Sequence, residues 1–181
     1  HELAGNAEPD FSIGWANNFT IGDRLTAGFI INGKFGGEVY SHTETMLNGF
    51  GVSARSGAAR DAGSISVNAA TESSGAAVSS ADPVKWYTAL GDRNGIGEPY
   101  IYDRTNIRLT QLSIGYNLDT SSLGIPIEGA NISLIGNNLL YSAEAPFDPE
   151  VAMSTSRSNQ GIDNFNLPST RTIGVNLRLT F

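Results

Sequence analysis

In Thr172-Ile173-Gly174-Val175-Asn176-Leu177-Arg178-Leu179-Thr180-Phe181 every second side chain is apolar. Ile173, Val175, Leu177, Leu179 and Phe181 share one face; Thr172, Gly174, Asn176, Arg178 and Thr180 share the other. A repeat of two is the mark of a β-strand, because successive side chains point to opposite sides of the backbone. The same repeat runs through the chain upstream. Between Asn131 and Tyr141, Ile132 and Leu134 oppose Asn131, Ser133 and Asn137. Leu112, Ile114, Tyr116 and Leu118 oppose Gln111, Ser113, Gly115 and Asn117. Ile107 and Leu109 lie on the opposite parity, beside Arg108. Two arrangements account for that flip: a bulge near Thr110, or a strand half that lies beyond the apolar zone. Near the start, Phe11, Ile13, Trp15 and Phe19 oppose small polar residues. A short turn at 21–24 then leads into Leu25, Ala27, Phe29, Ile31 and Phe35, with Ile30 the exception on the other face. These two runs read as a hairpin.

Composition agrees with an all-β chain. The 181 residues carry 11 Lys and Arg against 18 Asp and Glu, a formal charge of −7. Only 16% are charged, against roughly 25% in a typical soluble domain. Gly numbers 21. The acidic balance, with Lys34 and Lys85 the two lysines, argues against nucleic-acid binding, which needs a basic face. No apolar run is long enough for a transmembrane helix. The absence of cysteine excludes disulfides and thiolate chemistry. His1-Glu2-Leu3 has neither a start Met nor the basic and apolar regions of a signal peptide, which suggests a processed chain or a piece.

The connections alternate between short (21–24, 119–129) and long (36–99, 142–169). The first long one breaks the repeat of two and is dominated by Gly, Ser and Ala; no strand period is expected over 60–80. One helix is expected inside it, over 83–90: Asp82 stands at the N-cap, Pro83 at the first helical position and Gly91 just past the end. Strands of about ten residues with apolar and small-polar faces, joined by alternating short and long loops, suit a bacterial outer-membrane barrel. Phe19, Tyr116 and Phe181 at one level, and Phe35 and Tyr141 at the other, suit its aromatic girdles. A soluble β-sandwich, such as a surface glycan-binding module, is the alternative. Five strands do not close a barrel, since the smallest have about eight. An open edge in lipid leaves unpaired backbone groups. On the barrel reading, other strands complete the wall.

Several stretches resemble, in order, the C-terminal part of the SusC/RagA-like TonB-dependent outer-membrane transporters of the Bacteroidetes. They are Pro9-Asp10-Phe11 before a Trp-containing strand, Gly36-Gly37-Glu38-Val39-Tyr40-Ser41, and Tyr100-Ile101-Tyr102-Asp103 followed by Ile107 to Tyr116. Gly136-Asn137-Asn138-Leu139, Phe147-Asp148-Pro149-Glu150 and Leu167-Pro168-Ser169-Thr170-Arg171-Thr172 complete the set. The resemblance implies the last five antiparallel strands of a large barrel of about 22 strands around a plug. It places them at about 11–20, 25–35, 104–118, 130–141 and 171–181, with extracellular loops at 36–103 and 142–170. It implies nutrient import of oligosaccharides or peptides across the outer membrane. The implied partners are the remaining barrel and plug of the same transporter, a SusD-like surface lipoprotein, TonB acting through the missing plug, and lipid or LPS. No nucleic acid and no cofactor is expected. Phe181 resembles the terminal signal read by the outer-membrane assembly machinery.

No catalytic residue is nominated: the chain offers no nucleophile–base pair, so an enzyme is not expected. His1 and His42 lack partners at metal-ligand spacing, and no metal site is expected. Gly49-Phe50-Gly51-Val52-Ser53-Ala54 matches a dinucleotide fingerprint in letters but follows no strand–helix unit. Asp92 to Glu98 is too short for a calcium loop of the EF-hand type. Trp86, Tyr87, Tyr100 and Tyr102 on the long loop either contact substrate or the lid lipoprotein, or pack within the loop. Asn176 and Arg178 are expected to face the lumen, Arg178 as a charge that tunes the channel, pairs with a plug carboxylate or is solvated; Arg104 and Arg108 are the other strand charges.

Overall fold

The computed structural model describes residues 5–71, 73–92, 95–120, 128–150 and 160–181. In chain order the elements are β1 (Phe11–Ile21), β2 (Leu25–Phe35), β3 (Glu38–Ser41), α1 (His42–Gly49), α2 (Ala54–Ala62), β4 (Ile65–Ala70) and β5 (Ala77–Ala81). They continue with α3 (Pro83–Leu90), a 3-10 turn (Glu98–Tyr100), β6 (Ile101–Asp103), β7 (Asn106–Leu118), β8 (Gly129–Ala143), β9 (Ile162–Asp163) and β10 (Thr172–Thr180). The chain divides into two compact units. One holds Ala7–Glu38, Asp103–Val151 and Leu167–Phe181; the other holds His1–Asn6, Val39–Tyr102 and Ala152–Asn166.

The first unit is a five-stranded antiparallel sheet in the order β1-β2-β7-β8-β10. The Gly22 turn, at φ 60°, closes the β1–β2 hairpin, and Phe11 pairs with Phe35 at its far end. Register lines up one apolar face across all five strands. One row runs Phe19, Ala27, Ile114, Leu134, Val175; the next runs Ile21, Leu25, Tyr116, Ile132, Leu177. Nothing packs on this face among the described residues. Trp15 is 56% exposed, Val175 70% and Leu177 60%. What order it has comes from within: Phe11 stacks on Phe35 at 4.8 Å, and Trp15 meets Phe29 edge-on at 4.9 Å. The opposite face carries Ser, Thr, Asn and Gly. Gly28 and Gly115 are buried there beneath Asn18 and Thr26, whose side chains would have to move to admit a Cβ.

The parity flip in β7 is a bulge. Register shifts between Ile30 and Ile31 along β2, so Thr110 is the extra residue there. On the other side, Asn138 and Leu139 of β8 stand opposite this single residue, and Asn138 takes φ 51°. Asn tolerates that left-handed backbone better than most residues. Asn32 donates to Thr110 Oγ1 at 2.8 Å. The bulge returns Ile107 and Leu109 to the apolar face, where they pair with Gly33 and Ile31. It leaves Arg108 and Asn106 on the polar one.

The first long connection holds more order than the one helix expected of it. Within the second unit lie three capped helices and short strands. Ser41 caps α1 by accepting from Glu44 N at 3.1 Å, and Ser53 caps α2 by accepting from Ser56 N at 3.0 Å. Asp82 caps α3 with bonds from Val84 N and Lys85 N, and α3 spans the 83–90 read from the sequence. A Cβ on Gly91 would stand 2.8 Å from Gly49 Cα, so α1 and α3 meet through glycines. The 60–80 stretch, expected to lack strand period, forms the β4–β5 hairpin, with Ile65 opposite Ala81. The core is small: Tyr87, Leu90 and Tyr100, flanked by Tyr40, Ala59, Ile65 and Trp86. Among the described residues no helix is long and apolar enough to cross a membrane, which says nothing of strands.

Candidate functional site

On the polar face, the ends of β1, β2 and β7 meet a segment that returns after β8. Lys34 and Asn32 come from β2, Asn106 and Arg108 from β7, and Phe147-Asp148-Pro149-Glu150 folds back over them. Lys34 Nζ donates to Glu150 Oε2 at 2.7 Å, and Asn106 Nδ2 donates to Oε1 at 3.0 Å. Arg108 donates to Asp148 Oδ1 at 2.6 Å and to Ser169 Oγ at 2.9 Å, while Ser169 bonds the other carboxylate oxygen. The Arg108 guanidinium also lies 5.4 Å from the centre of the Tyr141 ring. Arg104 donates to Pro149 O at 3.3 Å and Ala7 O at 2.9 Å.

Both acids are held ionised. Burial works against charge on Asp148, but the bonds from Ser169 and Arg108 outweigh it, and its carboxyl sits below the ordinary range. Burial likewise opposes charge on Glu150, and Lys34 and Asn106 overcome it. The Asp148–Arg108 pair is almost dry, with side chains 3% and 10% exposed; Lys34–Glu150 is wetter, at 37% and 27%. Beside the pairs lies a hollow of about 500 Å³, whose polar lining includes Ser12, Asn32, Asn106 and Thr110.

Tyr141 and Arg104 lie elsewhere than the sequence predicts. Tyr141 does not join an outer girdle: its register partner is Arg108, and it lies on the polar face. Arg104 is not a strand residue, since β7 begins at Asn106 and Arg104 is spent on backbone carbonyls. Asn176 and Arg178 do lie on the polar face, Arg178 in register with Asn131 and Asn117. Asn131 donates to Asn117 at 2.7 Å, and the described residues supply no acid to Arg178. Phe181 lies just past β10, 77% exposed.

Of the four aromatics of the long loop, two are buried and two are partly exposed. Tyr87 and Tyr100 are 4% and 0% exposed and form the core of the second unit, so neither has surface to offer a ligand. Trp86 packs half-buried against that core. Tyr102 donates to Glu44, which also takes Arg55 at 3.4 Å. Burial pushes the Tyr100 hydroxyl up to about 12, and burial with the Glu44 bond does the same for Tyr102. Among the described residues no three acidic or His side chains gather as a metal site.

The acidic clasp escaped the sequence reading. Phe147-Asp148-Pro149-Glu150 stood out as a motif, but its partners lie 40 residues away for Arg108 and 116 for Lys34. No local pattern links them.

No family model matches the chain. It is 26% identical, over 99% of its length, to TonB-dependent receptor P3 of Formosa agariphila, and covers 17% of that protein. In fold it is similar to solved structures of the RagAB peptide importer. The open-open state gives a TM-score of 0.66 at 18% identity, over 96% of this chain and 17% of that one. The closed-closed state gives 0.61 at 15% identity, over 97% and 18%. The chain therefore spans about a sixth of the length of the relatives it matches. In sequence along nearly its whole length, and in fold, this chain resembles a part of a SusC/RagA-like TonB-dependent transporter.

Proposed function

We propose that the chain is one section of the wall of an outer-membrane TonB-dependent nutrient importer. The continuous apolar face of the five-stranded sheet carries this reading. A soluble sandwich would cover that face with a second apolar sheet, yet side chains such as Ile173 and Val175 stand 69% and 70% exposed. Hydrocarbon is the solvent such a face suits. Barrels alternate apolar-out with polar-in, so the Ser, Thr and Asn face, with Asn176 and Arg178, lines the lumen. The rest of the barrel and a plug close β1 and β10, and TonB acts through that plug. The residues 36–103 and 142–170 stand outside the membrane, where a SusD-like lipoprotein caps the barrel. The cargo is an oligosaccharide or a peptide; the similarity to an importer described as one for peptides favours the latter.

Native mass measurement of the purified full-length protein in detergent tests this. The expected result is a detergent-bound particle in which these 181 residues travel with the rest of the barrel. A water-soluble 19.1 kDa monomer that needs no detergent would overturn it.

A further inference from the structure

We infer that Asp148 and Glu150 set the charge selectivity of the passage, by neutralising the two cations that the wall itself carries at this level. The inference rests on the importer reading above. Lys34 and Arg108 belong to β2 and β7, on the polar face beside the 500 Å³ hollow. Their acidic partners do not belong to the wall. Both come from the turn that folds back after β8, with Asp148 on Arg108 at 2.6 Å and Glu150 on Lys34 at 2.7 Å.

The turn is firmly seated. Asp148 is also bonded by Ser169 and by Glu150 N, and Glu150 by Asn106. Pro149, less than 2% exposed, sits between the two acids and accepts from Arg104. With the turn in place the lining presents hydroxyl and amide groups, from Ser12, Asn32, Asn106 and Thr110, and no net charge from the two pairs. Such a wall suits solutes that hydrogen-bond through amide or hydroxyl groups and gives anions no foothold. Without the two carboxylates the same wall becomes a two-cation site, and Arg and Lys side by side suit carboxylate, sulfate or phosphate groups. Specificity here comes from a built-in neutraliser as much as from attractive contacts.

The test uses the full-length protein in detergent and a trisulfonated pyrene dye as anion probe, read by fluorescence anisotropy at low salt. Asp148→Asn with Glu150→Gln is expected to bind the dye at least about fivefold tighter than the unaltered protein. A single unit charge about 4 Å from an opposite one is worth that much even in water. The gain is expected to fade as salt is raised. Adding Lys34→Gln and Arg108→Gln to the same protein returns the site to its original net charge and is expected to abolish the gain. A loss of seating alone would not follow this charge count. An acid-deleted variant that remains a heat-modifiable barrel yet binds the dye no better overturns the inference while leaving the importer reading intact. A full-length protein that forms no detergent-requiring barrel overturns the importer reading itself. Should the double variant fail to fold, Glu150→Gln alone, at the wetter of the two pairs, carries the test with a smaller gain of the same sign.

Discussion

Leu177 stands 60% exposed on the apolar face, level with Ile132, Tyr116, Leu25 and Ile21 across the sheet. That level is the last before the Gly22 turn, near the interface, so the deeper Ile173, level with Leu112 and Phe29, is the sharper site. Ile173→Arg is expected to cost about 2–4 kcal/mol, since the charge would have to enter hydrocarbon. Arg178→Leu, on the other face, should cost far less. Equilibrium folding of the full-length protein into lipid vesicles measures both, and an arginine on the apolar face that costs no more than Arg178→Leu would overturn the assignment of the faces. The acids of the clasp make a second prediction at this scale. Asp148 and Glu150 have folded-state values below their ordinary ones. Their contribution is therefore fully present above the unfolded values, near about 4, and is lost as pH falls through the lower folded ones. Hydrogen exchange of residues 144–150, corrected for the intrinsic rate, should show constant protection from pH 8 to about 5 and a decline only below about 4. Protection already lost near pH 6 would assign the seating of the turn to something other than these carboxylates.

Among the elements, β7 shows what a single inserted residue accomplishes. Deleting Thr110 removes the extra residue that lets Ile107 and Leu109 face outward with Leu112 and Ile114. The upstream half of β7 would then reverse, turning Asn106 and Arg108 to the apolar side. Arg108 would lose Asp148, Ser169 and the Tyr141 ring together. The expected outcome is a protein that fails to assemble, read as loss of heat-modifiable mobility, whereas Thr110→Ser, which keeps the residue and the hydroxyl for Asn32, should assemble normally. The bulge was legible because the parity of apolar residues broke at one point. The large strands and α3 were legible for similar reasons: the repeat of two, and the Asp82-Pro83 start. The helices α1 and α2 were not, although Ser41 and Glu44 have the spacing of a capping box and Gly63 marks an end at φ 77°. The residues they bury are Thr45, Asn48 and Ser56, so no apolar stripe announced them. In β4, Ile65, Val67 and Ala69 alternate with Ser66 and Asn68, but the side chains are too small to stand out from the Ala and Ser around them. For Tyr87 and Tyr100 the sequence left open a contact surface or packing within the loop, and the structure gives packing. The loop has a core of its own to fill.

At the scale of the whole molecule, the sheet has two outer edges, at β1 and β10, and one uncovered apolar face. In water the face is the liability; in lipid the edges are. Each backbone N–H or C=O left unpaired in hydrocarbon costs several kcal/mol, and an edge of nine to eleven residues exposes a row of them. No arrangement of this sheet alone removes both penalties, because five strands are too few to bring β1 round to β10. Closure must come from strands outside these residues, in keeping with a chain that covers 17% of its relative's length. Produced by itself, the 181-residue segment is therefore expected to aggregate, or to stay soluble only in denaturant or micelles, with no heat-modifiable band. Supplied with the remainder of the barrel as a second polypeptide, it should pair at both edges and give one detergent-bound particle whose apparent size shifts on heating. If the segment alone produced a stable, heat-modifiable species in lipid vesicles, its edges would have to be pairing with copies of themselves. The wall would then be a homo-oligomer and not a section of a larger barrel.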